Sequence, residues 1–226
     1  MIVIALAFVA GLLIGSFLNV CVFRLPRDLS VIKPARSFCP FCEETIAWYD
    51  NIPVLSYILL RAKCRRCGAR IPLRYPVVEL ATGVAFAICV AAFGATPAAL
   101  KYALFSAIMI TLIASDLEER ILPDEFTIGG AAIGLIVAWF VPLRGEFALF
   151  IVPYTWGPHW VSVGEALIGG AVSSGSIWFA GWLYEKIRHR EGLGFGDVKM
   201  IFMIGAFLGL PGALLTLIAA SLIGAV

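Results

Sequence analysis

Two aspartates, Asp116 and Asp197, lie where apolar stretches of the sequence meet short charged loops, and Asp197 ends the run Gly194-Phe195-Gly196-Asp197. A carboxylate beside a hydrocarbon core is costly, so it is a candidate functional group by default. Two carboxylates that share one proton can hydrolyse a peptide bond, because the charged one polarises a water molecule and the neutral one protonates the carbonyl oxygen. Glycine at 194 and 196 lets the backbone pass close to a substrate or adopt positive φ. The pair therefore predicts aspartic-protease chemistry if both residues lie at one membrane depth.

Each aspartate also has a purely structural interpretation. Asp197 would follow a turn and complement the dipole at the start of a helix. Asp116 would be the polar end of a membrane span. The choice between these interpretations depends on the elements that position the two residues.

The composition predicts an all-α polytopic membrane protein. The chain has 226 residues, of which 61% are hydrophobic and 14% charged, and its mean hydropathy is +0.96. These values exclude an ordinary soluble domain. Seven apolar stretches are predicted as transmembrane helices, at residues 2–23, 77–93, 97–115, 126–143, 161–184, 198–210 and 213–226. Leu210-Pro211-Gly212 divides the last two, because adjacent Pro and Gly usually stop a helix.

Residues 2–23 are interpreted as a retained span, since no basic segment precedes them and no small-residue cleavage site follows. Orientation follows from the basic loops, which face the cytoplasm. Ten basic residues lie between 24 and 76: Arg24, Arg27, Lys33, Arg36, Arg61, Lys63, Arg65, Arg66, Arg70 and Arg74. Three more follow the fifth predicted span: Lys186, Arg188 and Arg190. Met1 and the loops 94–96 and 144–160 then face outward, and both aspartates lie near the cytoplasmic boundary, 81 positions apart in sequence.

The loop between the first two spans carries two cysteine hooks, Cys39-Pro-Phe-Cys42 and Cys64-Arg-Arg-Cys67, with 21 residues between them. This spacing is typical of a structural zinc site with four thiolate ligands. Two disulfides are the alternative, and a reducing cytoplasm disfavours them. A loop this short and polar would take much of its folding free energy from the metal. Its basic residues indicate contact with lipid headgroups rather than nucleic acid, because no nucleic-acid motif with stacking aromatics accompanies them.

Several motifs occur together in order along the chain. They are Gly15-Ser16-Phe17-Leu18-Asn19-Val20 with Arg24-Leu25-Pro26, the four cysteines, Arg74-Tyr75-Pro76-Val77-Val78-Glu79-Leu80, Asp116 with Leu122-Pro123-Asp124, and Gly194-Phe195-Gly196-Asp197-Val198-Lys199. In these motifs the chain resembles the bacterial type IV prepilin leader peptidases, inner-membrane enzymes that cleave prepilins and pseudopilins and N-methylate the new amino terminus.

The resemblance implies that Asp116 and Asp197 are the catalytic pair and that Cys39, Cys42, Cys64 and Cys67 are the family's cysteine tetrad. It also implies S-adenosylmethionine as methyl donor, a methyltransferase-associated region at 1–76 and a protease domain at 77–226. Asn19 and Glu79, polar residues in apolar surroundings, are candidates for methyl transfer, with helix-packing hydrogen bonds as the alternative. Family members usually continue with a further membrane segment rich in Pro, Phe and Gly, whereas this sequence stops at Val226. We therefore expect the closing span to be missing or the sequence to be truncated.

The segment after Asp116 is acidic. Prepilin leaders are short and basic in this family, so Glu118, Glu119, Asp124 and Glu125 are predicted to form an anionic rim that attracts the leader. The alternative assigns Asp124 and Glu125 to the first turn of a helix.

Two other functions are compatible with intramembrane acids and a metal loop. An ion or proton translocator would place its acids near mid-membrane, often in duplicated halves. A noncatalytic pilus or secretion assembly factor would use the loop as a docking surface and would not need either aspartate.

Overall fold

Helices make up most of this computed structural model, which describes residues 1–143, 147–150, 152–190 and 192–224. Those ranges contain no β-strand, only two isolated β-bridges, Phe38 with Thr45 and Lys63 with Arg70. The predicted all-α class is confirmed. By internal packing the chain divides into two units, Met1–Ile121 and Leu122–Val226. The predicted functional boundary after residue 76 is a separate matter and stays a prediction.

The first unit contains the helices α1 (Ile2–Arg24), α2 (Leu55–Leu59), α3 (Arg74–Phe93) and α4 (Pro97–Glu119). Helix α1 packs along α3, and α4 packs against both. Small residues allow the close contact of α1 with α3, since a Cβ atom at Gly15 would lie 2.7 Å from the Cα atom of Glu79. The long segment between α1 and α3 holds the cysteine hooks and the short α2.

The second unit contains α5 (Asp124–Phe140), α6 (Pro158–Arg188) and α7 (Phe195–Gly224), and each of these helices packs against the other two. The backbones of α6 and α7 nearly touch, because a Cβ atom at Gly169 would lie 2.5 Å from the backbone nitrogen of Leu210. Glu165 on α6 is fully buried in this contact region.

Helix α7 is interrupted at Gly209, whose φ of +71° and ψ of 179° are not helical. The interruption falls one residue before the predicted stop at Leu210-Pro211-Gly212. The predicted sixth and seventh spans are thus the two parts of α7, as far as residue 224. Residues 225 and 226 of the seventh span lie outside the described residues, as do residues 144–146 and 151 of the predicted outward loop.

Within the described residues, five helices are long and apolar enough to cross a membrane: α1, α3, α4, α6 and α7. Helix α5 has 17 residues and is shorter than the others. The chain therefore fits a multi-pass membrane protein, but the exact count of seven spans is not confirmed. Large apolar side chains such as Ile88, Leu100, Ile136 and Leu215 remain exposed on the helices, as lipid-facing surfaces require.

Candidate functional site

The four cysteine sulfurs form one cluster in the first unit. The Sγ atoms of Cys39, Cys42, Cys64 and Cys67 all lie within 4.8 Å of one another. Those of Cys39 and Cys67, one from each hook, are 3.8 Å apart. A tetrahedral zinc ion with Zn–S bonds of about 2.3 Å separates its sulfur ligands by about 3.8 Å. The cluster can hold one metal ion, and all four cysteines are free rather than disulfide-bonded.

Both hooks fold in the same way. The backbone N–H of Glu43 donates to Cys39 O at 2.8 Å, and that of Gly68 donates to Cys64 O at 3.0 Å. The residue after the second cysteine has positive φ in each hook, +57° at Glu43 and +71° at Gly68. This repeated turn aims two sulfurs of each hook at one point, which the C-x-x-C spacing predicts.

The hooks also prepare the thiols for a cation. Backbone N–H groups of Cys67 and Arg66 lower the pKa of Cys64 to about 7. At Cys42 the Glu44 backbone lowers the pKa, but desolvation and the thiols of Cys39 and Cys67 outweigh it and raise the pKa to about 12. Closely spaced thiolates repel one another unless a cation lies between them. The donor set therefore fits a zinc ion.

A cavity of about 560 Å³ lies in the first unit between α1, α3 and the segment that carries the hooks. Apolar and aromatic side chains supply most of its wall, including Tyr49, Tyr57 and Tyr75. Asn19 and Glu79, the two residues suggested for methyl transfer, both line it. The structure therefore places these two sequence candidates in one cavity.

The Asn19 side chain is almost fully buried, with 1% of its surface exposed. Its amide nitrogen donates to Tyr75 O at 2.9 Å, whereas its Oδ1 atom is buried and has no hydrogen-bond partner among the described residues. Half of the amide serves helix packing, as the alternative interpretation expected. The Oδ1 atom remains an acceptor to which no described residue donates.

Glu79 holds an unusual turn above the membrane helices. Its Oε2 atom accepts a 2.7 Å hydrogen bond from the backbone N–H of Val54. Val54 has φ +61° and ψ −47°, and Leu55 N donates to Pro53 O at 2.6 Å across it. This is a γ-turn of the strained kind, and a β-branched residue rarely occupies its centre.

Asp116 lies in the last turn of α4, near the predicted end of the third span, and the helix continues to Glu119. Its carbonyl oxygen accepts the N–H of Arg120 at 2.9 Å, and Arg120 is left-handed with φ +55°. The hydroxyl of Ser115 donates to Ile121 O at 2.8 Å. The left-handed residue at the helix end and the Ser115 hydroxyl thus fix the chain direction after Asp116.

The acids after Asp116 are paired with arginines of the first unit. Glu118 pairs with Arg74 at the start of α3 and with Arg27 at 3.6 Å, and Glu119 also pairs with Arg27. These pairs offset the charge on which the predicted anionic rim depends. The rim itself stays a hypothesis.

Asp197 is the third residue of α7, so the helix begins two residues before it and not after it as predicted. Its backbone N–H donates to Gly194 O at 3.1 Å. Neither Gly194 nor Gly196 has positive φ. A Cβ atom at Gly194 would instead lie 3.4 Å from the Asp197 carboxylate. That distance is an ordinary van der Waals contact, so neither backbone conformation nor space requires glycine at 194.

Asp124, the first residue of α5, pairs with Lys199 of α7. This contact ties the starts of two helices of the second unit together two residues after Asp197. Asp124 and Glu125 lie in the first turn of α5, as their structural interpretation expected.

Two comparisons of the sequence with protein families cover nearly the whole chain. The profile of the type IV leader peptidase family matches residues 103–226, which include Asp116 and Asp197. The chain belongs to the type IV leader peptidase family. The profile of the bacterial peptidase A24 N-terminal domain matches residues 9–93, which include all four hook cysteines. The resemblance seen in the sequence motifs is confirmed.

Relatives in the leader peptidase family carry the name prepilin leader peptidase/N-methyltransferase. The protein of Myxococcus xanthus strain DK1622 is 40% identical over 219 residues, which cover 97% of this chain and 60% of the relative. That of Klebsiella pneumoniae is 34% identical over 95% of this chain and 89% of the relative. That of Neisseria gonorrhoeae is 32% identical over 99% and 80%. The chain thus spans 60% of the Myxococcus relative's length. No solved structure gave a significant match.

The structural roles of three residues in this leader peptidase fold were not predicted from the sequence: Arg24, Val54 and Glu165. Arg24 is buried, and its guanidinium donates to the carbonyl oxygens of Ser30, Val31, Pro34 and Arg36, which anchors the segment after α1. In the sequence Arg24 was interpreted as a topology marker and as part of the Arg24-Leu25-Pro26 motif, not as a buried anchor. Val54 carried no signal, because nothing in a Pro-Val-Leu sequence predicts positive φ at valine. Glu165 is an acid inside an apolar stretch and could have been singled out on that ground.

Proposed function

We propose that this chain is a membrane aspartic endopeptidase that cleaves the leaders of type IV prepilins and pseudopilins, with Asp116 and Asp197 as the catalytic pair. The observation that carries this proposal is the match of the leader peptidase family to the region containing both aspartates. Each of them also lies at a helix end, in the last turn of α4 and the first turn of α7. The family assignment favours the peptidase over the translocator and the assembly factor.

In this mechanism the two carboxylates share one proton. The charged carboxylate takes a proton from the attacking water, and the protonated one donates to the carbonyl oxygen of the scissile bond. The pair titrates as a unit, so neither residue alone is the acid or the base. The basic loops, which are expected in the cytoplasm, support a site on the cytoplasmic side of the bacterial inner membrane.

The relatives' names support a second activity, N-methylation of the new amino terminus. S-adenosylmethionine supplies the methyl group when bound. The cysteine cluster holds a structural zinc ion in this proposal, since four thiolates in tetrahedral spacing suit zinc.

Cleavage of a membrane-inserted prepilin by the variants Asp116→Asn and Asp197→Asn tests the peptidase. Each variant is expected to lower the cleavage rate by roughly 10²–10⁴ fold, as loss of an acid–base group does. Asp28→Asn is the matched control, because Asp28 is exposed and Asn also tolerates its φ of +55°. Metal content and thermal unfolding check that the variants fold. Cleavage at the wild-type rate by either folded variant would contradict the shared pair, and retained pilus assembly in both would support the noncatalytic factor.

A further inference from the structure

We propose that the 560 Å³ cavity between α1, α3 and the hook-bearing segment is the binding pocket for S-adenosylmethionine, with Asn19 and Glu79 as its polar contacts. The inference rests on the proposed methyltransferase activity and assigns that activity a place in the first unit. It does not depend on the aspartate pair.

The size and wall of the cavity suit a small organic molecule. Pockets for such ligands occupy about 300–1,000 Å³ and combine apolar and aromatic walls with a few polar groups. Tyr49, Tyr57 and Tyr75 contribute aromatic rings to the wall. Aromatic faces stack on a purine and attract a cation. S-adenosylmethionine offers both, an adenine ring and a sulfonium charge.

The Oδ1 atom of Asn19 is a hydrogen-bond acceptor to which no described protein group donates. This atom is buried and has no hydrogen-bond partner there, while the amide nitrogen is held by Tyr75 O. Leaving a buried acceptor unpaired costs about 1–3 kcal/mol. Asn19 is one of the residues that line the cavity. The exocyclic amine or the ammonium group of the ligand supplies an N–H that this oxygen can accept.

Glu79 supplies charge complementarity. Glu79 is 7% exposed, and its carboxylate accepts hydrogen bonds from the Val54 N–H and from the Ser16 side chain. An anion in such surroundings is stabilised by a cationic ligand, since their attraction is weakly screened there. Neutral ligands of the same shape gain nothing from this carboxylate.

The turn at Val54 points to the same cavity. Backbone strain of this kind persists where the surrounding structure over-determines it, and it clusters at ligand clamps. Here Glu79 fixes the turn from the membrane helix, and Val54 itself lines the cavity. The Glu79 side chain thus fixes one residue of the pocket wall and is itself part of that wall.

Binding of S-adenosylmethionine to the purified, metal-loaded full chain, measured by calorimetry, tests the pocket. Glu79→Gln keeps the size of the side chain and an acceptor for Val54 but removes the charge. Asn19→Leu removes the free acceptor at similar volume. Both variants are expected to raise the Kd for S-adenosylmethionine at least tenfold, and metal content and thermal unfolding check that they fold. Glu165→Gln is the matched control, a buried acid of the second unit that receives the same substitution, and its Kd should not change.

The outcomes separate the two levels of the proposal. A Kd within twofold of wild type in both variants overturns the pocket and leaves the proposed methyltransferase activity standing. No binding by the wild-type protein overturns the methyltransferase proposal itself. If either variant misfolds, hydrogen exchange on the wild type decides. S-adenosylmethionine should then protect residues 49–57 and 75–79, and protection confined to residues 124–224 overturns the pocket.

Discussion

Glu79 on α3 accepts a 2.7 Å hydrogen bond from the backbone N–H of Val54, a residue held at φ +61° in a γ-turn. A membrane helix thereby fixes the conformation of the loop that carries the cysteine hooks. The loop is not simply tethered at its two ends, because a buried side chain between α3 and α1 sets its shape.

The strain at Val54 can be measured by two substitutions that both remove the side chain. Glycine adopts this φ and ψ readily, whereas alanine retains most of the strain. We expect Val54→Gly to be more stable than Val54→Ala by about 1 kcal/mol. Thermal unfolding in detergent at equal metal content gives the comparison. Equal stability of the two variants would show that the turn is unstrained.

Removal of one hook cysteine should release the metal. We expect Cys67→Ser to weaken zinc affinity by more than about 100-fold, because loss even of a supporting partner of a metal ligand costs 10–100-fold. Cys89→Ser is the control, since Cys89 is buried in α3 and is not part of the cluster. Zinc per purified chain, measured by mass spectrometry, should fall far below one in the first variant alone. Full zinc content in Cys67→Ser would contradict the four-thiolate site.

Zinc affinity should also depend on pH in a way set by Cys64. Its pKa of about 7 means that the thiol is largely deprotonated above pH 7. Below pH 7 the thiol must release a proton to the solvent when it binds zinc. Affinity therefore falls as pH falls, and the slope of log affinity against pH should steepen by about one unit below pH 7. A competition titration with a chelator between pH 6 and 8 measures this slope. An unchanged slope across pH 7 would place the pKa of Cys64 elsewhere.

The contact between α6 and α7 should tolerate no side chain at Gly169. A Cβ atom there would lie 2.5 Å from Leu210 N and 2.6 Å from Gly209 C, so the helices must move apart. We expect Gly169→Ala to cost about 2 kcal/mol or more.

The same substitution at Gly175 provides the control within α6, because a Cβ atom there meets nothing within 4 Å. Gly175→Ala should be neutral or stabilise by up to about 1 kcal/mol through helix propensity. Both values come from thermal or denaturant unfolding. Equal effects of the two substitutions would mean that α6 and α7 do not pack so closely.

Glu118 and Glu119 should differ in their effect on stability. Arg74, the partner of Glu118, has only 15% of its side chain exposed, and Glu118→Gln leaves its charge poorly compensated. A cost of about 2 kcal/mol is expected. Arg27 and Glu119 are 35% and 32% exposed, so Glu119→Gln should cost less than about 1 kcal/mol.

These two variants also test the anionic rim. If the acids attract a basic leader, both variants should slow leader cleavage at low salt and neither should do so at high salt. Cleavage that is unchanged at both salt concentrations would leave Glu118 and Glu119 with the ion pairs alone.

The sequence predicted those features that follow from residue type and spacing. Hydropathy located α1, α3, α4, α5 and α6 within a few residues, and the paired C-x-x-C hooks predicted one sulfur cluster. The prediction that α7 forms two spans depended on Pro211, and the interruption occurs at Gly209 because glycine alone adopts that conformation without strain. Nothing local predicted that Glu79 would accept the N–H of Val54 or that Asn19 would keep an unpaired oxygen. Such contacts depend on packing between segments distant in sequence.

The wall of the cavity is formed in part by the segment that the two hooks hold, whereas Asp116 and Asp197 lie on α4 and α7. Metal supply in the cell should therefore affect the two proposed activities unequally. Under zinc starvation, we expect leaders to be removed as usual while the exposed amino terminus escapes methylation. Pilin subunits from such cells would have the normal length and an altered first residue, so their chemistry would record the metal status of the bacterium.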